Sequence, residues 1–259
     1  MFWQHYCVSF KKNTMMNKGI LLAICIYLIP MLAQAQEKNE FEDLLLLFVD
    51  EKYDKCMQKA EKYTLKDNTK REPMPYLYIA MCMFEISRVE EAEEDNPRAF
   101  KDALSYSYKY VRKDKNMLYF DDNADFFASL RIEAMLKAEN QLAEEKYSRA
   151  KYYYRALAKI DPKDPSALFM QAYCELRSNA TRDAMNNFNM AMEYYLALSS
   201  LYVLTREQQA LMSHGFTTYA KFLIDEGRSD SAFSTLDYGK KLFLDDKQFM
   251  DKYEELKSN

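Results

Sequence analysis

The feature that most constrains this chain is a set of small residues that recurs at a fixed distance. In each unit, two alanines lie twelve residues apart, and a bulky residue follows the second alanine by four. The three units are Ala138, Ala150 and Tyr154; Ala172, Ala184 and Phe188; and Ala220, Ala232 and Leu236. The second unit follows the first by thirty-four residues, and the third follows the second by the same period plus a fourteen-residue insertion. Repetition of this length predicts an array of stacked structural repeats.

Contact between paired helices explains the spacing. A small residue on each of two antiparallel helices lets their backbones approach, and a bulky residue one turn later fills the space beside them. Asp161-Pro162 ends the first unit, and Gly227 lies where the first helix of the last unit must stop. Only four glycines and six prolines occur, too few for the many tight turns of a β-sandwich or barrel. The sequence therefore predicts an all-α fold.

The N-terminal half repeats the pattern more loosely. Leu44 and Cys56 are also twelve residues apart, and Ala80 supplies the small residue of a further first helix. The partner of that helix would be "RAFKDALSYSYKYV", built on Ala99, Ala103 and Tyr110. These segments raise the predicted number of helix pairs to about five.

The C-terminal segment "DDKQFMDKYEELK" has one apolar stripe and is charged elsewhere. Asp245 or Asp246 can cap its N-terminus. We expect a final helix that covers the end of the array, because a stacked repeat needs a polar outer face to stay soluble.

This pattern resembles the tetratricopeptide repeat (TPR) family, whose unit is a helix–turn–helix of thirty-four residues with small residues at the helix contacts. The match is strongest over residues 131–192 and 213–246. The Trp that opens the family's unit is replaced in the three units by Ala134, Leu168 and Phe216. The Leu of the family's first helix is replaced by Lys137, Gln171 and Tyr219. The resemblance implies a right-handed α-solenoid of about five antiparallel helix pairs with a C-terminal capping helix.

The N-terminus has the pattern of a secretory signal peptide. Lys18 precedes an apolar run that ends in Ala33-Gln34-Ala35, which predicts cleavage after residue 35. The run is short for a membrane anchor, the alternative interpretation. Residues 1–14 precede this pattern and suggest that the start codon assigned to the gene lies too far upstream. We expect a periplasmic or secreted bacterial protein with no stable transmembrane segment after cleavage, divergent helix pairs over 36–120, and clearer repeats with the capping helix over 121–259.

Cleavage would remove Lys11, Lys12 and Lys18 but no acidic residue, so the mature net charge falls from −4 to −7. A nucleic-acid partner is therefore disfavoured, because such binding needs concentrated positive charge.

No constellation for catalysis or metal binding is evident. Cys56, Cys82 and Cys174 are far apart and lie on apolar helical faces, which predicts small buried hydrophobes. The pattern predicts that His214 opens a helix, and no Cys or Ser motif lies beside it, so we expect a structural role. "DDNADF" at 121–126 lacks the glycine and glutamate of a calcium loop and instead predicts a helix start capped by Asp121, Asp122 or Asn123. We predict no cofactor and no enzymatic activity.

The family resemblance implies that the first helices line a binding surface. On helical faces, the candidate positions for a peptide-binding groove are Leu77, Met81, Phe84, Phe169, Tyr173, Leu176, Arg177 and Lys221, with Leu45, Phe48 and Asp225 toward the ends. If exposed, this lining suits an extended or helical peptide. The alternative is that neighbouring helices, or the insertion at 199–209, cover these positions.

Two function classes remain open. The resemblance and the signal peptide favour an exported TPR-like scaffold or adaptor that binds another protein or peptide in a bacterial cell-envelope assembly. The alternative is a helical enzyme or small-molecule-binding protein with a carboxylate-based site. A deep closed pocket with two facing carboxylates would favour the enzyme, and an open surface with aromatic anchors would favour the scaffold.

Overall fold

A computed structural model of the protein describes residues 41–89, 95–115, 117–162, 164–197 and 204–258. Within these ranges the chain forms eleven α-helices, one short 3-10 helix and no strand. Residues 43–259 form one compact unit, and residues 1–42 are a separate unit that is almost wholly outside the described ranges. The predicted signal peptide lies outside them too. The expected all-α fold is confirmed.

The helices follow one another as five pairs and a single last helix. They are α1 Glu42–Val49 and α2 Tyr53–Leu65; α3 Met74–Ile86 and α4 Ala99–Lys113; α5 Ala124–Ala143 and α6 Tyr147–Ile160; α7 Pro165–Arg177 and α8 Thr181–Ala197; α9 Arg206–Asp225 and α10 Ser229–Leu242; and α11 Lys247–Ser258. Within the compact unit, α2 packs against α3 and α6 against α7, so these two second helices contact the first helix of the next pair. This is the predicted solenoid of five helix pairs with a helix at its C-terminal end.

The repeated small residues lie at the contacts between paired helices. All six alanines of the three units have no exposed surface, and the bulky Tyr154, Phe188 and Leu236 are buried beside them. In the first pair, the Cys56 Sγ donates a hydrogen bond to the Leu44 carbonyl oxygen at 3.5 Å. A cysteine and a leucine thus meet where the later units place two alanines.

The turns within four of the pairs share one backbone conformation. A residue with positive φ follows the first helix at Glu51, Glu145, Asn179 and Gly227. At Glu145, the backbone N–H bonds to the Leu142 carbonyl at 2.9 Å, and the next N–H reaches back to Gln141 at 2.8 Å. These two bonds define a Schellman motif, which satisfies the last carbonyls of the helix and reverses the chain.

Helix α7 lies at the centre of the array. It packs against α6, α8 and α9, and eleven of its thirteen residues are buried. Its residues belong to both hydrophobic clusters, one that reaches back to Leu77 and one that reaches forward to Leu256. The rings of Phe169 on α7 and Phe216 on α9 stack with their centres 4.8 Å apart. One helix thus joins the N-terminal and C-terminal cores.

A buried polar cluster fixes the stacking of α5, α7 and α9. The guanidinium of Arg131 lies 3.0 Å from the Asp161 carboxylate and 3.5 Å from that of Asp164. Gln208 donates to Asp161 at 3.2 Å. Asp164 also accepts from the backbone N–H of Ser166 at 2.9 Å and so caps α7.

Two expected helix starts need correction. Helix α9 begins at Arg206, eight residues before His214, because Thr205 and Gln208 form a capping box that stabilises an earlier start. The stretch at 121–126 does begin a helix, but it does so through a 3-10 turn at Asp121–Asn123 with no side-chain cap. The predicted cap of the last helix is present, since Asp246 accepts from the Phe249 N–H at 3.0 Å.

Candidate functional site

Three adjoining clefts, which we call the groove, run between the first helices α5, α7 and α9 and the last helix α11. Their volumes are about 510, 260 and 380 Å³. Ala210 lines all three clefts, and His214, Thr218 and Gln248 line the first two. The shared residues make the clefts one continuous surface.

Helix α9 forms one wall of the groove. Ala210, His214, Thr218 and Lys221 follow one another at intervals of four, four and three residues, so they lie on one helical face. Thr218 donates its hydroxyl hydrogen to the His214 carbonyl at 2.6 Å. This backbone bond occupies the hydroxyl proton but leaves the oxygen able to accept from a ligand.

Helix α5 supplies the opposite wall, and α7 supplies the floor. Met135 and Leu142 give the wall an apolar character, and Glu139 adds one carboxylate. Tyr173 on α7 lies between the walls and meets the ring of Tyr147 edge-on, with centres 6.3 Å apart. Burial raises the pKa of Tyr173 to about 12, so its hydroxyl stays protonated and can donate or accept a hydrogen bond.

The charges of the groove are mixed. Lys221 is exposed and pairs with Asp225 on its own helix, with both carboxylate oxygens 3.0 Å from the ammonium. His214 is exposed to solvent, yet many protein atoms lie around its ring in the cleft. This desolvation lowers the pKa of His214, an effect that Glu139 opposes and Lys252 reinforces. The lowered pKa favours the neutral imidazole, which can accept or donate a hydrogen bond.

The candidate groove residues predicted from sequence divide by exposure. Tyr173 and Lys221 line the groove. The guanidinium of Arg177 lies 4.9 Å from the centre of the Tyr147 ring, at the edge of the groove. Asp225 is exposed beside Lys221.

Four other candidates are buried in the hydrophobic core: Leu77, Phe84, Phe169 and Leu176. Their side chains stabilise the stacking of neighbouring helices and offer no surface to a ligand, which is the alternative that the sequence left open. Toward the N-terminal end, Met81 and Phe48 are half-buried and Leu45 is exposed, but none of these lines the three clefts.

Most of the residues that form the walls of the groove were not among those predicted from sequence. His214 was expected to open a helix and to have a structural role, whereas it lies within α9 and lines two of the clefts. Ala210 and Thr218 were missed for the same reason. They share a helical face with His214 only if the helix begins as early as Arg206. The Thr205–Gln208 capping box is the sequence signal that could have placed that start.

In the part of the chain that the structure describes, the cysteines are core residues and no metal-ligand cluster is present. Cys56, Cys82 and Cys174 are free and buried, as predicted for small hydrophobes. Over the described ranges, no group of three His, Cys, Asp or Glu side chains could hold a metal ion. In the same part of the chain, no helix has the length and apolar character needed to cross a membrane.

Comparisons with known proteins add one structural likeness. No protein-family model matches the sequence, and the search of curated proteins finds no match. Among solved structures, the chain is similar to the TPR2AB domain of yeast Sti1 in complex with pHSP90, with 14% identity, a TM-score of 0.35, and coverage of 82% of this chain and 93% of that one. The fold class is defined by the helix pairs themselves.

Proposed function

We propose that this protein is a non-enzymatic scaffold that binds a segment of another protein in the groove, as part of a bacterial cell-envelope assembly. The groove itself carries the proposal. It is open to solvent, has an apolar wall at Met135 and Leu142, and presents hydrogen-bonding groups at Thr218 and Gln248. Apolar contacts with a few fixed polar groups are what a helical or extended peptide requires. The envelope location rests on the predicted signal peptide.

The alternative, a carboxylate-based enzyme, has one observation in its favour. Glu139 and Glu207 line the same cleft. That cleft is open, however, and a backbone hydrogen bond at the start of α9, together with one from Thr205, lowers the pKa of Glu207. A carboxyl group held in its charged form is a poor general acid, and general acids are usually tuned in the other direction. The scaffold accounts for the site better.

A bulky substitution in the groove tests the proposal. Ala210→Arg places a long charged side chain where all three clefts meet, and Ala210 is exposed, so the fold should be retained. Ala197→Arg, at the exposed end of α8, is the matched control. Each tagged protein is crosslinked in cells of its own source, and the copurifying proteins are identified by mass spectrometry.

We expect the same partner with the wild type and with Ala197→Arg, and loss of that partner with Ala210→Arg. Retention of the partner by Ala210→Arg would contradict binding in the groove. If no partner copurifies with the wild type and the purified protein converts a metabolite, the enzyme is favoured instead.

A further inference from the structure

A second surface, on the second helices α4 and α6, is strongly basic. Helix α4 contains four basic residues and one acidic residue, and α6 contains four basic residues and no acidic one. Together they carry a net charge of +7 in a chain whose total is −4, so the rest of the chain carries −11. The other second helices lack this excess, with net charges of +1 for α2, −1 for α8 and 0 for α10.

Six of these basic residues are exposed and define what we call the basic face: Lys101, Lys109, Arg112, Arg149, Arg155 and Lys159. The two helices pack against each other, and their side chains interleave across the boundary. The ammonium of Lys159 on α6 lies 5.3 Å from the centre of the Tyr108 ring on α4, and that of Lys101 on α4 lies 5.6 Å from the Tyr152 ring on α6. The charges and rings therefore form one surface.

The basic face also has little opposite charge close to it, although Arg149 is near enough to Glu144 to help lower the pKa of that carboxyl. Over the described part of the chain, none of its six residues forms an ion pair with a carboxylate, whereas exposed Lys221, Lys247 and Lys252 each do. The one acidic residue of the two helices, Asp102, faces Arg98 at 4.0 Å. Like charges held close together work against the compact state, so this concentration of charge has a cost. An anionic partner would offset that cost.

We propose that the basic face docks on a membrane surface that contains anionic phospholipid. Long Lys and Arg stems with charged tips, and Tyr rings with polar tips, are the side chains that lie at the boundary between headgroups and acyl chains. Each Lys or Arg near such a surface strengthens binding about fivefold. Arg155 and Lys159 also line a cleft of about 220 Å³, whose one carboxylate, Asp164, is paired with Arg131.

Charge distribution favours this partner further. The rest of the chain carries a net charge of −11, so the basic face differs in sign from the remainder of the sequence and is the surface that an anionic layer would attract most strongly. Peripheral attachment of this kind requires no spanning helix. The inference does not depend on the proposed function, because none of the six basic-face residues lines the groove.

Vesicle cosedimentation tests the inference. The purified protein is mixed with phosphatidylcholine vesicles that either contain or lack phosphatidylglycerol, at low and high salt. We expect binding only to vesicles with the anionic lipid, and weaker binding as salt rises. The triple variant Lys101→Gln, Arg155→Gln, Lys159→Gln should lower the partition coefficient about a hundredfold, because three cations are removed. All three residues are exposed, and circular dichroism verifies the fold.

The matched control removes three exposed cations from elsewhere, as Lys55→Gln, Lys62→Gln, Lys241→Gln, and should bind within about twofold of the wild type, since these lie outside the basic face. Equal losses in the two triple variants would overturn the proposal in favour of an effect of total charge. Binding that does not depend on phosphatidylglycerol would also overturn it. The proposal would also be overturned if the wild type did not bind the vesicles but bound polyglutamate or duplex DNA. That result would assign the basic face to an acidic protein or a nucleic acid.

Discussion

At the scale of single residues, the turns within the helix pairs demand one conformation but contain different side chains. Glu51, Glu145, Asn179 and Gly227 all have φ between 56 and 73°. Only glycine adopts this region without cost, and asparagine tolerates it better than glutamate does. The sequence predicted the turn at Gly227 because of that preference. The two glutamates carry no such signal, and the structure alone identifies their turns as equivalent.

Glycine at one of these glutamates should stabilise the protein. Glu145→Gly removes the steric conflict of Cβ at φ 56° and should raise the free energy of unfolding by about 1 kcal/mol. Glu144→Gly is the control, because Glu144 has φ −93° and gains nothing from glycine. Chemical denaturation measures both variants. A lower stability for Glu145→Gly than for the wild type would contradict the assignment of this turn.

His214 illustrates a residue whose role depends on neighbours distant in sequence. Glu139 on α5 and Lys252 on α11 influence its pKa in opposite directions. Nothing in the local sequence places these charges beside the ring, because both arrive through the stacking of helices. The sequence therefore suggested a structural role for His214 and did not identify it as a residue of the groove.

An NMR titration of the His214 ring tests this placement. We expect a pKa below the usual 6.5, because desolvation disfavours the imidazolium. Glu139→Gln should lower the pKa further and Lys252→Gln should raise it, while Glu133→Gln, on the same helix as Glu139, should leave it unchanged. A wild-type pKa at or above 6.5, or no response to the first two substitutions, would argue against the groove as described.

At the scale of helices, the apolar face of each element could be predicted but its coverage could not. Leu77, Phe84, Phe169 and Leu176 were assigned to the groove on helical faces. They are buried because α3 packs against α2 and α4, and α7 packs against α6, α8 and α9. Periodicity indicates which side of a helix is apolar. It does not indicate whether that side meets solvent, a ligand or another helix.

The last helix docks through a contact for which one glycine leaves space. A Cβ at Gly239 on α10 would lie 2.7 Å from the Phe249 Cζ, and Phe249 is 1% exposed. Phe249→Ala should therefore lower the free energy of unfolding by about 3 kcal/mol, because it leaves a cavity at the end of the core. The exposed neighbour Gln248→Ala should change it by less than about 0.5 kcal/mol. Equal effects in thermal melts would mean that α11 does not cover the array.

At the scale of the whole molecule, the number and order of the helix pairs could be predicted because close backbone approach requires small residues at fixed sequence positions. Only small residues fit there, so Ala138, Ala150 and their counterparts are visible at a fixed period. The groove has no comparable sequence pattern, because its walls come from three different helix pairs and the last helix. Their relative positions depend on stacking contacts such as the ion pair between Arg131 and Asp161.

The unfolding free energy of enlarged alanines tests the account most directly. Ala150→Leu, Ala184→Leu and Ala232→Leu each add bulk to a contact with no free space, and each should lower the free energy of unfolding by about 1–3 kcal/mol. Ala143→Leu and Ala197→Leu make the same change at exposed helical positions and should stay within about 0.5 kcal/mol of the wild type. If the three buried variants are as stable as the two exposed ones, the paired helices do not meet at the repeated alanines.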